Sequence, residues 1–275
     1  TNKGKSDSIT FSLSKAMSNG FRGNFSITQT HSTDVTPGTA SRAISNYNYV
    51  ARVNPNDSIE SRARFDVPLS VKASMSWEHA FFGDYKTTVS VYYNGRDGLP
   101  YSWTFGTDVN GDSINNVDLA YIPLANDPIV SYKAGTTAAQ IQDFQAFIDS
   151  DPYLSSRRGQ IAERNSSHQP WINQLDVGFQ QELPGFFKGN KVVVRLDVYN
   201  FLNMVNKDWG QQDGVGFFGS RRLAYVSGVT NGKYVYDLGT AASPAWQQFG
   251  VYDSYANPSR VISRWQALLT VRYQF

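Results

Sequence analysis

The chain has 275 residues, with 25 Lys and Arg against 23 Asp and Glu, a formal net charge of +2 and no Cys. The absence of Cys excludes disulfides, thiolate metal sites and Cys nucleophiles, and a net charge near zero gives no electrostatic reason to expect nucleic acid as a partner. No apolar run is long enough for a transmembrane helix. Aromatic residues make up 14% of the chain, which favours β-strands.

The first two predicted strands meet at Ser18-Asn19-Gly20. Every second residue on either side of this turn is apolar, as expected of strands with one apolar and one polar face. The apolar positions are Ile9, Phe11, Leu13, Phe21, Phe25 and Ile27.

A third strand is predicted at Phe65–Glu78, where apolar and polar residues alternate over fourteen positions. Strands of soluble proteins average about 5 to 6 residues, whereas a strand that crosses a bilayer at a tilt needs about 9 to 11 with an uncharged outward face. The pattern therefore predicts a membrane-spanning strand. Pro68 counts against part of it, because proline cannot donate to a strand ladder.

Later segments repeat the alternation. In Lys191–Asn200 the charged residues Arg195 and Asp197 share one face and leave the other uncharged. We count about seven long strands. The apolar positions of the later ones are Thr87, Val89, Val91, Tyr93, Trp171, Leu175, Val177, Phe179, Val192, Val194, Leu196, Val198, Trp265, Ala267, Leu269, Val271, Tyr273 and Phe275.

The connections between strands alternate between short and long. Short ones lie at 18–20, 80–84 and 184–190, and long ones at about 32–62, 95–169 and 204–258. Short turns on one rim and long extracellular loops on the other are typical of outer-membrane barrels. The predicted fold is therefore all-β, an antiparallel transmembrane β-barrel. Bacterial barrels have even strand numbers, so a count of seven predicts either a missed strand or further strands before the first residue.

Two alternatives stay open at this point. A soluble β-sandwich, whose alternate residues face a core, produces the same periodicity in shorter strands. A hairpin at 222–237 that turns at Asn231-Gly232 can add two wall strands or extend a loop.

The long loop 95–168 contains the sharpest local motif, Asp108-Val109-Asn110-Gly111-Asp112. Oxygen ligands at alternate positions of a tight glycine-containing loop suit Ca²⁺, and the predicted ligands are Asp108, Asn110, Asp112 and Asp118. Asp118 stands at position 11 of the motif, so the motif is not an EF-hand. The alternative is a β-turn with solvated charges.

The same loop predicts a short helix at 136–150. Thr137 and Gln140 have the spacing of a capping box, and Asp151-Pro152 stops the helix. The apolar stripe of this helix is expected to pack on the loop or on the barrel rim.

Catalytic motifs are not found, and we expect no enzymatic activity. Polar residues of the inner face can line a substrate path or contact an internal domain; they are Asp66, Lys72, Glu78, Arg195, Asp197, Arg264 and Arg272. Aromatic residues of the long loops can bind a ligand or pack on each other; they are Tyr47, Tyr49, Trp209, Phe217, Phe218, Tyr234 and Tyr236.

Four stretches resemble known outer-membrane proteins. The last strand resembles the signal read by the barrel-assembly machinery, with Trp265, Leu269, Val271, Tyr273 and Phe275 as its residues. LDVYNFLN at 196–203 resembles a motif of TonB-dependent receptors. The stretches 93–124 and 164–185 resemble the Oar-like subfamily, TonB-dependent receptors with a carboxypeptidase-regulatory-like domain.

This resemblance implies a 22-stranded barrel in the bacterial outer membrane, filled by an N-terminal plug and energised by TonB. Residues 1–275 are then the C-terminal part of one barrel domain, and the TonB complex would act through N-terminal regions outside it. The partners that this resemblance allows are outer-membrane lipid, the barrel-assembly machinery and a surface lipoprotein subunit. The implied function is transport of a substrate. The rivals are surface adhesion and a soluble Ca²⁺-binding, carbohydrate-recognising sandwich.

Overall fold

The computed structural model describes residues 3–38, 40–216, 219–251 and 262–275. The helices in these ranges are α1 Ala43–Asn48, α2 Ala138–Ser150, α3 Pro152–Ser156 and α4 Phe201–Val205. The strands are β1 Lys5–Ser18, β2 Phe21–Asp34, β3 Ser61–Arg62, β4 Leu69–Phe82, β5 Tyr85–Arg96, β6 Pro100–Phe105, β7 Tyr121–Ile122, β8 Val130–Tyr132, β9 Gln160–Ile161, β10 Ser167–His168, β11 Ile172–Pro184, β12 Lys191–Tyr199, β13 Asp213–Gly214, β14 Ser220–Thr230, β15 Lys233–Asp237, β16 Gly250–Val251 and β17 Gln266–Gln274.

Seven long strands form one antiparallel sheet, here called the wall sheet, in the order β1-β2-β4-β5-β11-β12-β17. Each of these strands pairs with the long strand that precedes it and the long strand that follows it in the sequence. This confirms the predicted number of about seven long strands and their antiparallel order. The pairing register brings the apolar positions into common rows. One row runs through Trp77, Val89, Phe179, Leu196 and Leu269. The alternation seen in each separate strand therefore becomes one continuous apolar face.

The wall sheet is open. In the part of the chain that the structure describes, the outer edge of β1 and the outer edge of β17 have no neighbouring strand. The described residues thus form a curved section of wall and not a closed barrel. None of their helices combines the length and the apolar character that a membrane-spanning helix needs.

The apolar face is uncovered along most of its width. Ile9 is 78% exposed, Leu13 64% and Val271 65%. Among the described residues no second sheet packs on this face. The predicted alternative of a β-sandwich is therefore wrong for this fold, since a sandwich buries such a face against its partner sheet.

Short turns join the strands at one end of the wall sheet. Asn19 and Gly20, between β1 and β2, both have positive φ, of 52° and 79°. Two consecutive residues with positive φ make the turn whose twist matches paired strands. A side chain is excluded at Gly20, because its Cβ would lie 2.4 Å from the carbonyl oxygen of Glu78.

The third wall strand begins later than the sequence pattern predicts. β4 starts at Leu69 and not at Phe65. The reason is Pro68, which has no N–H to donate, and its carbonyl oxygen instead accepts a hydrogen bond from the Thr30 N–H at 2.9 Å. Asp66 is therefore not part of the strand face.

Most of the long connections fold together into a second unit, here called the loop layer, made of 97–171, 206–216 and 219–251. Its centre is a five-stranded sheet in the order β10-β6-β14-β15-β8, in which β6 pairs with β14 and β8 with β15 in parallel. The core includes the fully buried side chains of Trp103, Phe144, Ile148, Leu223 and Tyr236.

Two predicted elements lie in the loop layer. The hairpin at Asn231-Gly232 is confirmed, and because its strands β14 and β15 pair with β6 and β8 it extends a loop and adds nothing to the wall. Helix α2 is confirmed as well. Thr137 caps it through the predicted reciprocal bonds with Gln140, and its buried Phe144 and Ile148 face the core of the loop layer.

Candidate functional site

The polar face of the wall sheet is concave. Residues from six strands, β1, β2, β4, β5, β11 and β12, line one depression of about 680 Å³. Charged and aromatic side chains in it include Arg22, Tyr92, Asp176, Arg195 and Asp197. A hollow with polar walls of both charges can hold a hydrated solute or a polar protein surface.

Most of the charges in this depression are fixed by hydrogen bonds. Arg195 donates from Nε and Nη2 to the two carboxylate oxygens of Asp197, each at 2.7 Å. Asp176 accepts from the Asn200 N–H at 2.8 Å. The predicted inner-face pair of Arg195 and Asp197 is thus held in a two-point contact that fixes its orientation.

The motif at 196–203 lies where the chain leaves wall strand β12 and enters the following long connection. Asn200 has a left-handed backbone with φ of 52°, which ends β12, and its amide donates to the Gly210 carbonyl at 2.9 Å. Asn203 donates to the carbonyls of Lys207 and Trp209 at 2.8 and 3.0 Å and accepts from the Trp265 N–H. These asparagines tie the chain after β12 to the start of β17.

A buried ionic cluster joins the wall sheet to the loop layer. Asp66, 1% exposed, accepts from Arg62 Nη1 at 2.9 Å and from the Ser32 N–H at 3.0 Å. His168 Nε2 lies 3.3 Å from the same Arg62 Nη1. Burial, and then the positive charge of Arg62, lower the pKa of His168. The sequence predicted a polar inner-face role for Asp66, but the side chain serves this junction.

A second ion pair crosses the same junction. Arg164 Nη1 contacts Asp34 Oδ1 at 2.9 Å. The next residue, Asn165, donates from Nδ2 to the Arg62 carbonyl at 2.8 Å and from its N–H to Ser102 Oγ at 2.8 Å. Because Asn165 also has a positive φ of 55°, this segment is held in one conformation by partners from both units.

The predicted calcium ligands lie together on one turn of the loop layer. Asp108 accepts from the N–H groups of Gly111 and Ser113, at 2.7 and 2.8 Å, and Asn110 accepts from the Asp112 N–H at 2.9 Å. Asp118 accepts from the Asn110 side chain at 2.6 Å. Burial, followed by the charges of Asp112 and Asp108, raises the pKa of Asp118 against the lowering effect of its backbone hydrogen bonds.

The side chains of this turn do not form a ready metal cage. In the described ranges no group of three or more His, Asp and Glu side chains is placed to hold a metal ion. The carboxylates of Asp108 and Asp118 are instead occupied by N–H donors. Calcium binding stays a prediction, and it requires these oxygens to exchange N–H partners for the ion.

The loop aromatics divide into two groups. Tyr236 is fully buried and donates to the Tyr121 carbonyl at 2.6 Å, and Tyr234 packs on Phe105, so both belong to the core of the loop layer. Trp209, Tyr47 and Tyr49 keep large exposed areas. Phe217 and Phe218 lie outside the described residues.

The residues of the predicted barrel-assembly signal lie in and beside β17. Leu269 and Val271 point to the apolar face, and Trp265 and Phe275 flank the strand. Tyr273 stacks on Phe186 with ring centres 5.8 Å apart and meets Phe275 edge-on. The signal thus presents an aromatic group at the end of the sheet that carries the short turns.

Comparison with known proteins gives one family match. A family model described as outer membrane beta barrel domain matches residues 1–221, which is most of the chain. No curated protein and no solved structure matches the chain. The matched range contains six of the seven long wall strands, the predicted calcium turn and the ionic cluster at the junction. The chain belongs to the outer membrane beta barrel domain family.

Proposed function

We propose that this chain is the C-terminal part of the barrel of a TonB-dependent outer-membrane transporter of the Oar-like type, with the loop layer on the extracellular side. The observation that carries the proposal is the wall sheet itself. In the part of the chain that the structure describes, it has an exposed apolar face, a concave polar face and two unpaired edges. In hydrocarbon, backbone N–H and C=O groups must be paired within the protein, so both edges need further strands. A larger closed barrel of 22 strands supplies them.

The concave polar face supports a transport role. In a closed barrel this face lines the lumen, and the fixed charges of Arg195, Asp197 and Asp176 would meet either the solute or an internal plug. The loop layer would then stand over one mouth of the lumen, held to the wall by the Arg62, Asp66 and His168 cluster.

Two measurements on the native protein test the proposal. The first is the intact mass of the protein extracted with detergent from the outer-membrane fraction, expected near 100 kDa for a chain with about 22 strands, a plug and long loops. The second is the depletion of solutes from the medium by the wild-type strain, by a strain lacking this gene and by a strain lacking TonB. At least one solute should be depleted more slowly in both mutants. A mass near 30.7 kDa, or no shared solute, would overturn the proposal.

A surface-binding role is the second candidate. It is favoured by the loop layer, which has its own hydrophobic core. Loss of adhesion of cells to a surface in the gene deletion, with solute depletion unchanged, would favour this role over transport.

A further inference from the structure

A pocket of about 270 Å³ lies where the polar face of the wall sheet meets the loop layer. Its apolar lining comes from Phe65, Leu99, Pro100 and Ile172, and its polar lining from Arg64, Arg96, Gln169, Gln212 and Asp213. Arg96 and Ile172 are register partners at the ends of β5 and β11 nearest the loop layer. The pocket therefore opens on the same concave side as the 680 Å³ depression.

Arg96 is a half-buried cation that has no acidic partner among the described residues. Among the described residues no carboxylate lies within 4.0 Å of its guanidinium, and the neighbouring Asp97 accepts from the Leu69 N–H at 2.9 Å. By contrast, Arg62, Arg164 and Arg195 are each paired with a carboxylate. A partly desolvated guanidinium with free donors is suited to the two-point binding of a carboxylate.

Three other side chains of the pocket have polar groups without a partner among the described residues. Within the described ranges the side-chain amides of Gln169 and Gln212 and the carboxylate of Asp213 make no hydrogen bond or ion pair. Asp213 is an anion in the same pocket as Arg96, yet the two do not pair. A ligand that has both a cationic and an anionic group would satisfy both, whereas a simple anion would leave Asp213 without a partner.

We propose that this pocket binds a small zwitterion with an apolar side chain, that is, an amino acid or the end of a short peptide. Its carboxylate binds Arg96, its ammonium faces Asp213, and its side chain lies on Leu99 and Ile172. The inference rests on the proposed function, because it names the substrate class that the lumen would admit. Free energy comes from the apolar contact and from two desolvated charge contacts.

Three matched probes test the proposal on the complete native protein in detergent: phenylalanine, 3-phenylpropionate, which lacks the amine, and 2-phenylethylamine, which lacks the carboxylate. Calorimetric titration should give at least tenfold tighter binding for phenylalanine than for either partial probe. Arg96→Gln should weaken phenylalanine and 3-phenylpropionate at least tenfold. Asp213→Asn should weaken phenylalanine and abolish its advantage over 3-phenylpropionate.

The control is Lys188→Gln, which also removes a positive charge, but from an exposed position in the turn between β11 and β12, at the opposite end of the wall. It should leave all three affinities unchanged, and each variant is first checked for the gel mobility of the folded barrel.

Equal binding of the three probes, no binding of any, or binding unaffected by Arg96→Gln would overturn the inference. A TonB-dependent solute that is not a zwitterion would also overturn it while leaving the transport function intact. Zwitterion binding without TonB-dependent uptake would support the pocket and contradict the transport function.

Discussion

The guanidinium carbon of Arg221 lies 3.9 Å from the centre of the Phe249 ring, inside the core of the loop layer. The same group lies 4.4 Å from the Trp103 ring centre and is only 5% exposed. It donates to the Gln247 carbonyl at 2.8 Å and to the Tyr101 hydroxyl at 2.9 Å. A buried positive charge is thus stabilised by aromatic faces and oxygen acceptors in place of a carboxylate.

Replacing Arg221 by Met should destabilise the loop layer by about 2 to 4 kcal/mol, because two hydrogen bonds to a charged donor and the cation–π contacts are lost together. The measurement is the rate of limited proteolysis within 97–171 at fixed protease concentration. Lys207→Met removes a charge whose side chain is 90% exposed and should leave the rate unchanged. Equal rates for the two variants would contradict the role of Arg221.

Gly95 creates the room for an aromatic group on the apolar face. A Cβ at this position would lie 2.4 Å from the Tyr93 hydroxyl and 2.8 Å from the Trp171 ring, and both of these side chains hydrogen-bond to Asn173. We expect Gly95→Ala to lower the free energy of unfolding by about 1 to 3 kcal/mol through overpacking. The measurement is the urea concentration at which half of the protein has lost the gel mobility of the folded barrel. Gly250→Ala is the control, since its Cβ would enter open space. An unchanged midpoint for Gly95→Ala would show that the two rings move aside freely.

The junction between wall and loops should weaken in acid. The pKa of His168 is lowered in the folded protein. At a pH below the ordinary histidine pKa of about 6.5, the unfolded chain therefore binds more protons than the folded protein. Stability is therefore fully present above that value and falls as the pH drops below it. The free energy of unfolding between pH 7.5 and 5.5 should fall more in the wild type than in His168→Gln. Parallel slopes in the two proteins would contradict the assignment.

Calcium should bind to the turn at 108–118 and should bind more weakly in acid. Because the pKa of Asp118 is raised, a proton competes with the ion at a higher pH than at an ordinary Asp. Calorimetric titration should show heat that is lost in Asp108→Asn and kept in Asp143→Asn, an exposed position on α2. Absence of heat in the wild type would leave the turn as a hydrogen-bonded loop without a metal.

The wall sheet could be predicted from the sequence because apolar and polar residues alternate over nine or more positions in its strands. Such an alternation shows directly that each strand has one apolar and one polar face. The predicted start at Phe65 was wrong because alternation carries no information on N–H donors, which Pro68 lacks. Helix α2 was predicted by its cap and by its stop at Asp151-Pro152.

The loop layer could not be predicted in the same way. Its core joins Trp103 to Leu223 and Phe144 to Tyr236 across connections that have no common period. The Arg96 pocket could not be predicted for a related reason. Its lining comes from separate segments, and nothing in the sequence marks an arginine whose carboxylate partner is missing.

The pairing of β10 with β6 bears on the register in which the wall strands align. A slip of β11 along β5 by two residues would keep every apolar side chain on the correct face, so the alternating pattern alone penalises it weakly. The slip would, however, move one strand by about 7 Å. Such a shift would carry β10 away from β6 and separate His168 from Arg62. The contacts of the loop layer therefore penalise a two-residue slip that the apolar pattern of the wall tolerates, and so help to select the correct register.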